Sequence, residues 1–339
     1  MIRFVIIIMI IGIIFLLYLN DEKEYRFRNS LKERFWIIRY DKKKKNDFYS
    51  YKIMNNILTH LDDKINLFLL LKNKKYIPYT FVINLDDIME IPKDEPNSLW
   101  FIKHRSTGGG VYVFPIFYKN IIHFFDNNKK LKRDPKIDFP EYYPKRKYLL
   151  QKGINPYIIN NFKNDIRIFY IIILYKNKLN FYISRDGLVK FSQTKYDKYS
   201  IDKEIQITNT ARCKKDLKNN MSCKNQLLSS LEEYRIMYKR IKEMFKDLSY
   251  EIRSRFLNNY DSRFVLEYQV CGVDVIFDRR LNPYLLELNS KSPAYIKDED
   301  SIEIKILKYN IKEILKETLG NSLRNETLKI DRCDLFEKL

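Results

Sequence analysis

Apolar and polar residues alternate most regularly in two runs, Gly272 to Asp278 and Tyr284 to Asn289, each with a period of two. A polar stretch closing on Asn282-Pro283 separates them, so the pattern predicts a β-hairpin. Alternation puts Val273, Val275 and Phe277 with Leu286 and Leu288 on one apolar face and turns Asp274, Glu287 and Asn289 to the other. A turn centred between Arg280 and Leu281 sets Asp274 opposite Glu287, where cross-strand Cβ atoms lie about 5 Å apart. Strand-like apolar runs recur at Arg34 to Ile38, Leu99 to His104, Val111 to Phe117, Ile168 to Tyr175 and Asn180 to Ser184. Helical spacing runs from Asp62 through Leu71 and from Leu227 to Leu248, where Leu228, Leu231, Ile236, Met237, Ile241, Met244 and Phe245 recur with bases outside them. A last helix is expected over Ser301 to Leu319, with a tail beyond Gly320.

Phe4 to Leu19 has no polar face at all and lies between Arg3 and Asn20-Asp21-Glu22-Lys23. As a helix rising about 1.5 Å per residue it falls slightly short of a relaxed bilayer core, a shortfall that thinning or snorkelling can cover. A cleavable signal peptide shares the charged start and apolar centre, but Phe15 to Leu19 are all bulky and leave no small-residue cleavage site. The reading is an uncleaved, single-pass N-terminal membrane anchor over residues 4–19.

At 339 residues, with 45% hydrophobic and 15% aromatic content, the chain can fill the cores of two or three small domains. A net charge of +20 points to an acidic partner: nucleic acid, an anionic membrane surface or an acidic protein tail. Part of that excess follows from a Lys-, Asn-, Ile- and Tyr-rich composition of the kind AT-rich coding produces, so charge does not choose among them. Cys213, Cys223, Cys271 and Cys333 show no C-x-x-C spacing, which argues against a zinc site and a disulfide framework. His60, His104 and His123 are not paired at ligand spacing, so histidine-based hydrolysis is not expected.

Three constellations carry candidate chemistry. Two carboxylates and an amide oxygen held together at Asp274, Glu287 and Asn289 repel unless a cation sits among them, and hard oxygen ligands suit Mg²⁺. Taken alone, the same residues also describe a solvated strand face. Lys103 ends a strand and precedes the turn Arg105-Ser106-Thr107-Gly108-Gly109-Gly110, whose backbone N–H groups could close over phosphates; an exposed hairpin turn reads the same way. Alternation places Lys163, Asp165 and Arg167 on one side of a strand, a cation pair with an acid between.

Gly272-Val273-Asp274-Val275, followed by Pro283-Tyr284-Leu285-Leu286-Glu287-Leu288-Asn289 and Ser292-Pro293, resembles the metal-binding end of the tubulin-tyrosine ligase-like family. Further matches fall in family order. Pro78 and Thr80-Phe81-Val82 resemble P-x-T-(F/Y)-V, and Lys103, Gly108 and Gly110 fall on W-I-V-K-P with its glycine turn. Tyr148 to Ile154, Lys163 to Arg167, Arg185 to Phe191 and Ile207 to Thr210 match later motifs, while His104, Gly109, Gly153 and Gln206 depart from the pattern.

The resemblance implies an α+β chain with the ATP-grasp fold, two α/β subdomains gripping ATP, behind a smaller N-terminal α/β domain and the N-terminal transmembrane helix. The expected boundaries are 1–20 for the anchor, 25–95 for the N-terminal domain, 96–162 and 163–320 for the two subdomains, and 321–339 for a tail. It implies an ATP- and Mg²⁺-dependent ligase joining Glu, Gly or Tyr to a carboxylate of an acidic protein, such as a tubulin tail. Lys163, Arg167 and Arg185 are the expected catalytic residues, Arg185 gripping the incoming amino acid's carboxylate bidentately. Lys103, Gly108, Gly110, Gln151, Lys152, Asp165, Thr208 and Asn209 are expected to bind the nucleotide, and Asp274, Glu287 and Asn289 the metal. The expected partners are the acidic acceptor, a free amino acid and a membrane through residues 4–19, with the catalytic domain cytosolic and nucleic acid not expected. The rival reading is a catalytically silent basic scaffold of the same fold that binds microtubules or nucleic acid.

Overall fold

The computed structural model describes residues 52–53, 61–84, 91, 93–104, 113–130, 147–175, 178–208, 225–256, 266–289, 300–311 and 335–339. Two sheets dominate them. The larger has eight strands and follows the path β1 (Lys52–Ile53), β10 (Leu266–Phe277), β7 (Phe162–Tyr175), β8 (Lys178–Phe191) and β12 (Phe336–Lys338). On its flanks β11 (Pro283–Asn289) pairs with β10, β6 (Ile158–Ile159) with β7 and β9 (Gln226–Leu227) with β8. The smaller sheet runs β2 (Thr80–Asn84), β5 (Lys147–Lys152), β3 (Leu99–His104) and β4 (Val113–Phe117), all antiparallel.

Strand β7 shows why the core sits where it does. Its even positions Ile166, Ile168, Tyr170, Ile172 and Leu174 face one side, where helix α4 (Tyr234–Phe256) lays down Met237, Ile241, Met244, Phe245, Leu248 and Ile252. Helical spacing turns Ile236 outward and brings Leu248 and Ile252 into the contact. The odd positions Phe169, Ile171 and Ile173 face the other side and are covered by Ile304, Leu307 and Ile311 of a second helix, α5, over 302–311. That helix covers only the far half of the face. Lys163, Asp165 and Arg167, the odd positions before Phe169, are left beyond it.

The predicted hairpin is present, with one local difference. Asp274 pairs with Glu287 and Val273 with Leu288, but Val275 pairs with Leu285, so the register shifts between Asp274 and Val275 and Leu286 is the extra residue of a bulge. Leu285, not Leu286, therefore joins Val273, Val275, Phe277 and Leu288 in the core. Asp278 fixes the turn by accepting hydrogen bonds from the Arg280 and Asn282 backbone N–H groups, both at 2.8 Å, and lets Leu281 take a positive φ of 60°. Residues 336–338, read from the sequence as tail, form the edge strand β12, with Phe336 buried.

The expected fold is corrected in one respect: the described structure is mixed α/β with sheets dominant, and it lends no support to a transmembrane helix. Among the described residues no helix is long and apolar enough to cross a membrane. Even α4, 23 residues long, carries lysines and arginines in every turn of its outer face and buries only the stripe against β7. Residues 4–19 lie outside the described residues, and the anchor and the membrane localisation drawn from them are withdrawn.

A bulge between β7 and β8 brings Gly187 against Arg167, where an added Cβ would lie 2.7 Å from the Arg167 carbonyl oxygen and 2.7 Å from Ile168 Cδ1. Neither a backbone carbonyl nor a core isoleucine can retreat cheaply. Gly187→Ala is expected to lower unfolding free energy by about 1–3 kcal/mol, measured by urea denaturation; unchanged stability would show that the strand gives way freely.

Candidate active site

The site is a row of charges across four adjacent strands. Register sets Glu287 of β11 beside Asp274 of β10, Asp274 beside Arg167 of β7, and, one step along, Asp165 of β7 beside Lys190 of β8. Arg167 grips Asp274 with two parallel bonds, Nε to Oδ1 and Nη2 to Oδ2, both 2.8 Å. Lys190 Nζ bridges the two aspartates, 2.7 Å from Asp165 Oδ1 and 3.0 Å from Asp274 Oδ2. Thr208 donates its hydroxyl to the other Asp165 oxygen.

Asn289 Nδ2 donates to Glu287 Oε1 at 3.1 Å and lies 3.4 Å from Asp274 Oδ2, so the three expected metal residues converge on the face opposite Val273 and Val275. Glu287 is also paired with Lys64 Nζ at 3.2 Å. Lys64 opens helix α1 (Lys64–Leu71), whose first turn is capped by Asp63 accepting from the Ile65 and Asn66 N–H groups. A cation is out of place at a helix N-terminus, and Glu287 compensates for it.

Two carboxylates and an amide oxygen suit a hard divalent cation that keeps other positions for water and phosphate. Among the described residues no group of three or more His, Cys, Asp or Glu could hold a metal, and the trio supplies only two carboxylates. The donor set thus fits Mg²⁺ better than zinc. Asn289 presents its amide N–H to the acids here; ligation would require the amide to turn over and offer its oxygen.

The smaller sheet supplies two buried lysine environments. Lys103 donates to Gln151 Oε1 at 2.5 Å, and Gln151 Nε2 donates to Thr80 Oγ1 at 3.0 Å. Lys163, from the larger sheet, lies over the Phe101 ring at 4.7 Å and donates to Gln206 Oε1 at 3.1 Å. Gln206, at the end of α3 (Lys203–Gln206), is itself fixed by donating to the Asp197 and Ser200 carbonyls, both at 2.9 Å. Gln206, one of the departures from the resembled pattern, is therefore a lock on Lys163.

Burial pushes Lys103 down to about 8, against the pull of Glu287, Asp165 and Asp274. Burial, with the Lys103 charge adding to it, pushes Lys163 down to about 7. Burial raises the Asp165 carboxyl above its ordinary range although Lys190 opposes it. The same burial acts on Asp274, but Arg167 and Lys190 outweigh it and hold that carboxyl well below the usual range. Two aspartates on neighbouring strands are thus driven in opposite directions.

Of the sequence-predicted residues, Lys103, Gln151, Lys163, Asp165, Arg167, Thr208, Asp274, Glu287 and Asn289 belong to this connected region. Lys152 lies to one side, paired with Asp94 at 2.8 Å near the Trp100 ring. Arg185 is elsewhere: its guanidinium meets Glu337 at 3.7 Å beside α4, on the helix-covered face. Gly108, Gly110 and Asn209 lie outside the described residues. Lys190 and Lys64 were missed. Strand alternation on β8 could have found Lys190 beside Asp165, whereas nothing local marks Lys64, which only tertiary packing brings to Glu287.

The family model of the tubulin-tyrosine ligase family matches residues 19–322. A probable tubulin polyglutamylase of Caenorhabditis elegans, ttll-9, is 23% identical over 272 residues, aligning 76% of this chain with 62% of that protein. A probable tubulin polyglutamylase of Bos taurus, TTLL9, is 27% identical over 178 residues, 50% of this chain and 38% of that protein. Tubulin glycylase 3D of Tetrahymena thermophila is 28% identical over 243 residues, 66% of this chain and 21% of that protein. The chain thus spans less than two thirds of the length of each of these relatives.

The depressed lysines set a pH dependence. Unfolded lysines keep their protons to about 10.4, whereas Lys163 and Lys103 release theirs at about 7 and 8 in the folded chain. Between these values the unfolded chain binds more protons, so stability rises with pH, and the cost of burying both charges is fully present below about 7. The melting temperature is expected to climb between pH 7 and 9, and to climb less in Lys163→Met; equal slopes in the two proteins would refute the assignment.

Proposed function

The chain belongs to the tubulin-tyrosine ligase family, and on that premise we propose that it is an ATP-dependent carboxylate–amine ligase acting on an acidic protein such as tubulin. The amino acid added is glutamate, glycine or tyrosine. One observation carries the reading: Asp274, Glu287 and Asn289 converge between Arg167, Lys190 and Lys64, with Lys103 close enough for the acids' charges to act on it. Lys103 and Lys163 are buried and held by neutral amide oxygens, an arrangement that leaves their positive charge to be met by an anionic ligand such as a polyphosphate.

In the proposed reaction a carboxylate oxygen of the acceptor attacks the γ-phosphorus of ATP and the bond to ADP breaks, giving an acyl-phosphate. The amino acid's amine then attacks the acyl carbon, phosphate leaves and the amine loses a proton. Mg²⁺, held by Asp274, Glu287 and Asn289, would supply charge neutralisation on the phosphate oxygens. Arg167 holds Asp274 ionised and in place for that task, and Lys190 would turn from Asp274 toward the anionic ligands. Lys103 and Lys163, fixed by Gln151 and Gln206, would take up protons as phosphate charge approaches and stabilise the charge that develops in transfer. Thr208 and Lys190 orient Asp165 behind them.

The test is incubation with ATP, Mg²⁺, tubulin and each labelled amino acid in turn. Incorporation of one of the three is expected, falling at least about 100-fold in Glu287→Gln and Lys163→Met. No incorporation of any amino acid into any acidic acceptor would sink the proposal. Calorimetry in buffers of different ionisation heat should show proton uptake on nucleotide binding at pH 8, smaller in Lys103→Met.

A further inference from the structure

Away from the charge row, the outer edge of β8 carries a second set of cations that already holds a carboxylate. Strand β12 adds to this edge with Phe336 opposite Ser184, Glu337 opposite Ile183 and Lys338 opposite Tyr182. The Arg185 N–H donates to the Leu335 carbonyl at 2.8 Å, and the Leu339 N–H to the Phe181 carbonyl at 3.0 Å. Glu337 then projects between β8 and α4. Tyr238 donates its hydroxyl to Oε2 at 3.0 Å, Lys242 is ion-paired with Oε1, and Arg185 Nη1 lies 3.7 Å from Oε2. The adjacent acid, Asp186, is taken up by the Gly187 N–H and by Ser229.

Resting on the reading that the acceptor is an acidic protein, we infer that Arg185, Tyr238 and Lys242 form a carboxylate-reading subsite on a strand-accepting edge, which binds an extended acidic segment of the acceptor in place of β12. Main-chain pairing along β8 is indifferent to sequence, so selectivity falls to the alternating side chains: an apolar residue where Phe336 packs with Ile304 and Leu307 on the far face, and a carboxylate where Glu337 projects toward α4. Two cations and a phenol hydroxyl around that position select a carboxylate over neutral side chains. The incumbent is short, three residues, and the Arg185 and Lys242 side chains are 44% and 30% exposed, so the subsite is within reach of a ligand from solvent. Strand β9 holds Leu188 and Val189 on the same edge, which confines strand addition to the stretch from Tyr182 to Arg185. Arg185 thereby acquires a task in acceptor binding, separate from the charge row.

The experiment measures binding of a fluorescein-labelled, glutamate-rich peptide with one phenylalanine before a glutamate, as in Phe336-Glu337, by anisotropy, without ATP or amino acid, so loss of ligase activity cannot imitate its failure. Glu337→Gln is expected to tighten binding roughly tenfold by releasing the cations from their own carboxylate, and Lys242→Met on that background to remove the gain. Unchanged or weaker binding by a folded Glu337→Gln protein would overturn the inference. Hydrogen exchange on the unaltered chain gives an independent reading: saturating peptide should speed exchange at the Leu339 amide as β12 is displaced, and unchanged protection would overturn it. A concentration-dependent dimer of Glu337→Gln that exchanges β12 between copies would overturn it in favour of a second chain as occupant. Incorporation of amino acid into tubulin with no change in peptide binding would remove this subsite alone and leave the ligase reading standing.

Discussion

Asp274 sits on a central strand with its carboxylate almost wholly removed from water, and a charge so placed persists only where cations meet it. Arg167 and Lys190 meet it from the next two strands, and both depend on register for their position. The register depends in turn on the two-sided burial of β7 by α4 and α5, and on Gly187, whose missing side chain lets β8 approach the Arg167 backbone. The charge row is therefore an outcome of core packing. Asn289, Glu287 and Lys64 extend the row outward to the N-terminal segment, so residues far apart in sequence are fixed in one place.

Much of this was legible in the sequence where period and register decide the outcome. The hairpin and the shared face of Lys163, Asp165 and Arg167 follow from alternation, and the pairing of Asp274 with Glu287 from alternation together with the placing of the turn. What was not legible needs tertiary information. The bulge at Leu286 swaps a leucine into the core because a local insertion defeats strict counting. Lys64 is an unremarkable helix-start lysine until folding carries it to Glu287. Arg185 matched a motif in one dimension, but in three its guanidinium lies beside α4 and not in the row. The apolar run 4–19 satisfies a membrane pattern by composition, but it lies outside the described residues, among which no helix is long and apolar enough to cross a membrane.

The electrostatic character of the site is that of a place prepared for negative charge. Lys103 and Lys163 are deeply buried, burial and the Lys103 charge lower the readiness of Lys163 to hold a proton, and each lysine is held by a neutral amide instead of an acid. A neutral anchor fixes the ammonium without consuming its charge, which stays available to an anionic ligand. Asp165 and Asp274, by contrast, are already committed, one inclined to a proton and the other firmly ionised.

The half-covered face of β7 has a mechanical consequence. Because one strand carries the charge row at one end and hydrophobic core on both sides at the other, the larger sheet cannot flex at the site without disturbing its own interior. It is a fixed jaw. The smaller sheet meets it through contacts such as Phe101 beneath Lys163. Lys103 stands on the smaller sheet and Asp274, Glu287 and Asn289 on the larger, so the distance between that ammonium and the acids is set by how the two sheets pack and not by the pairing within either.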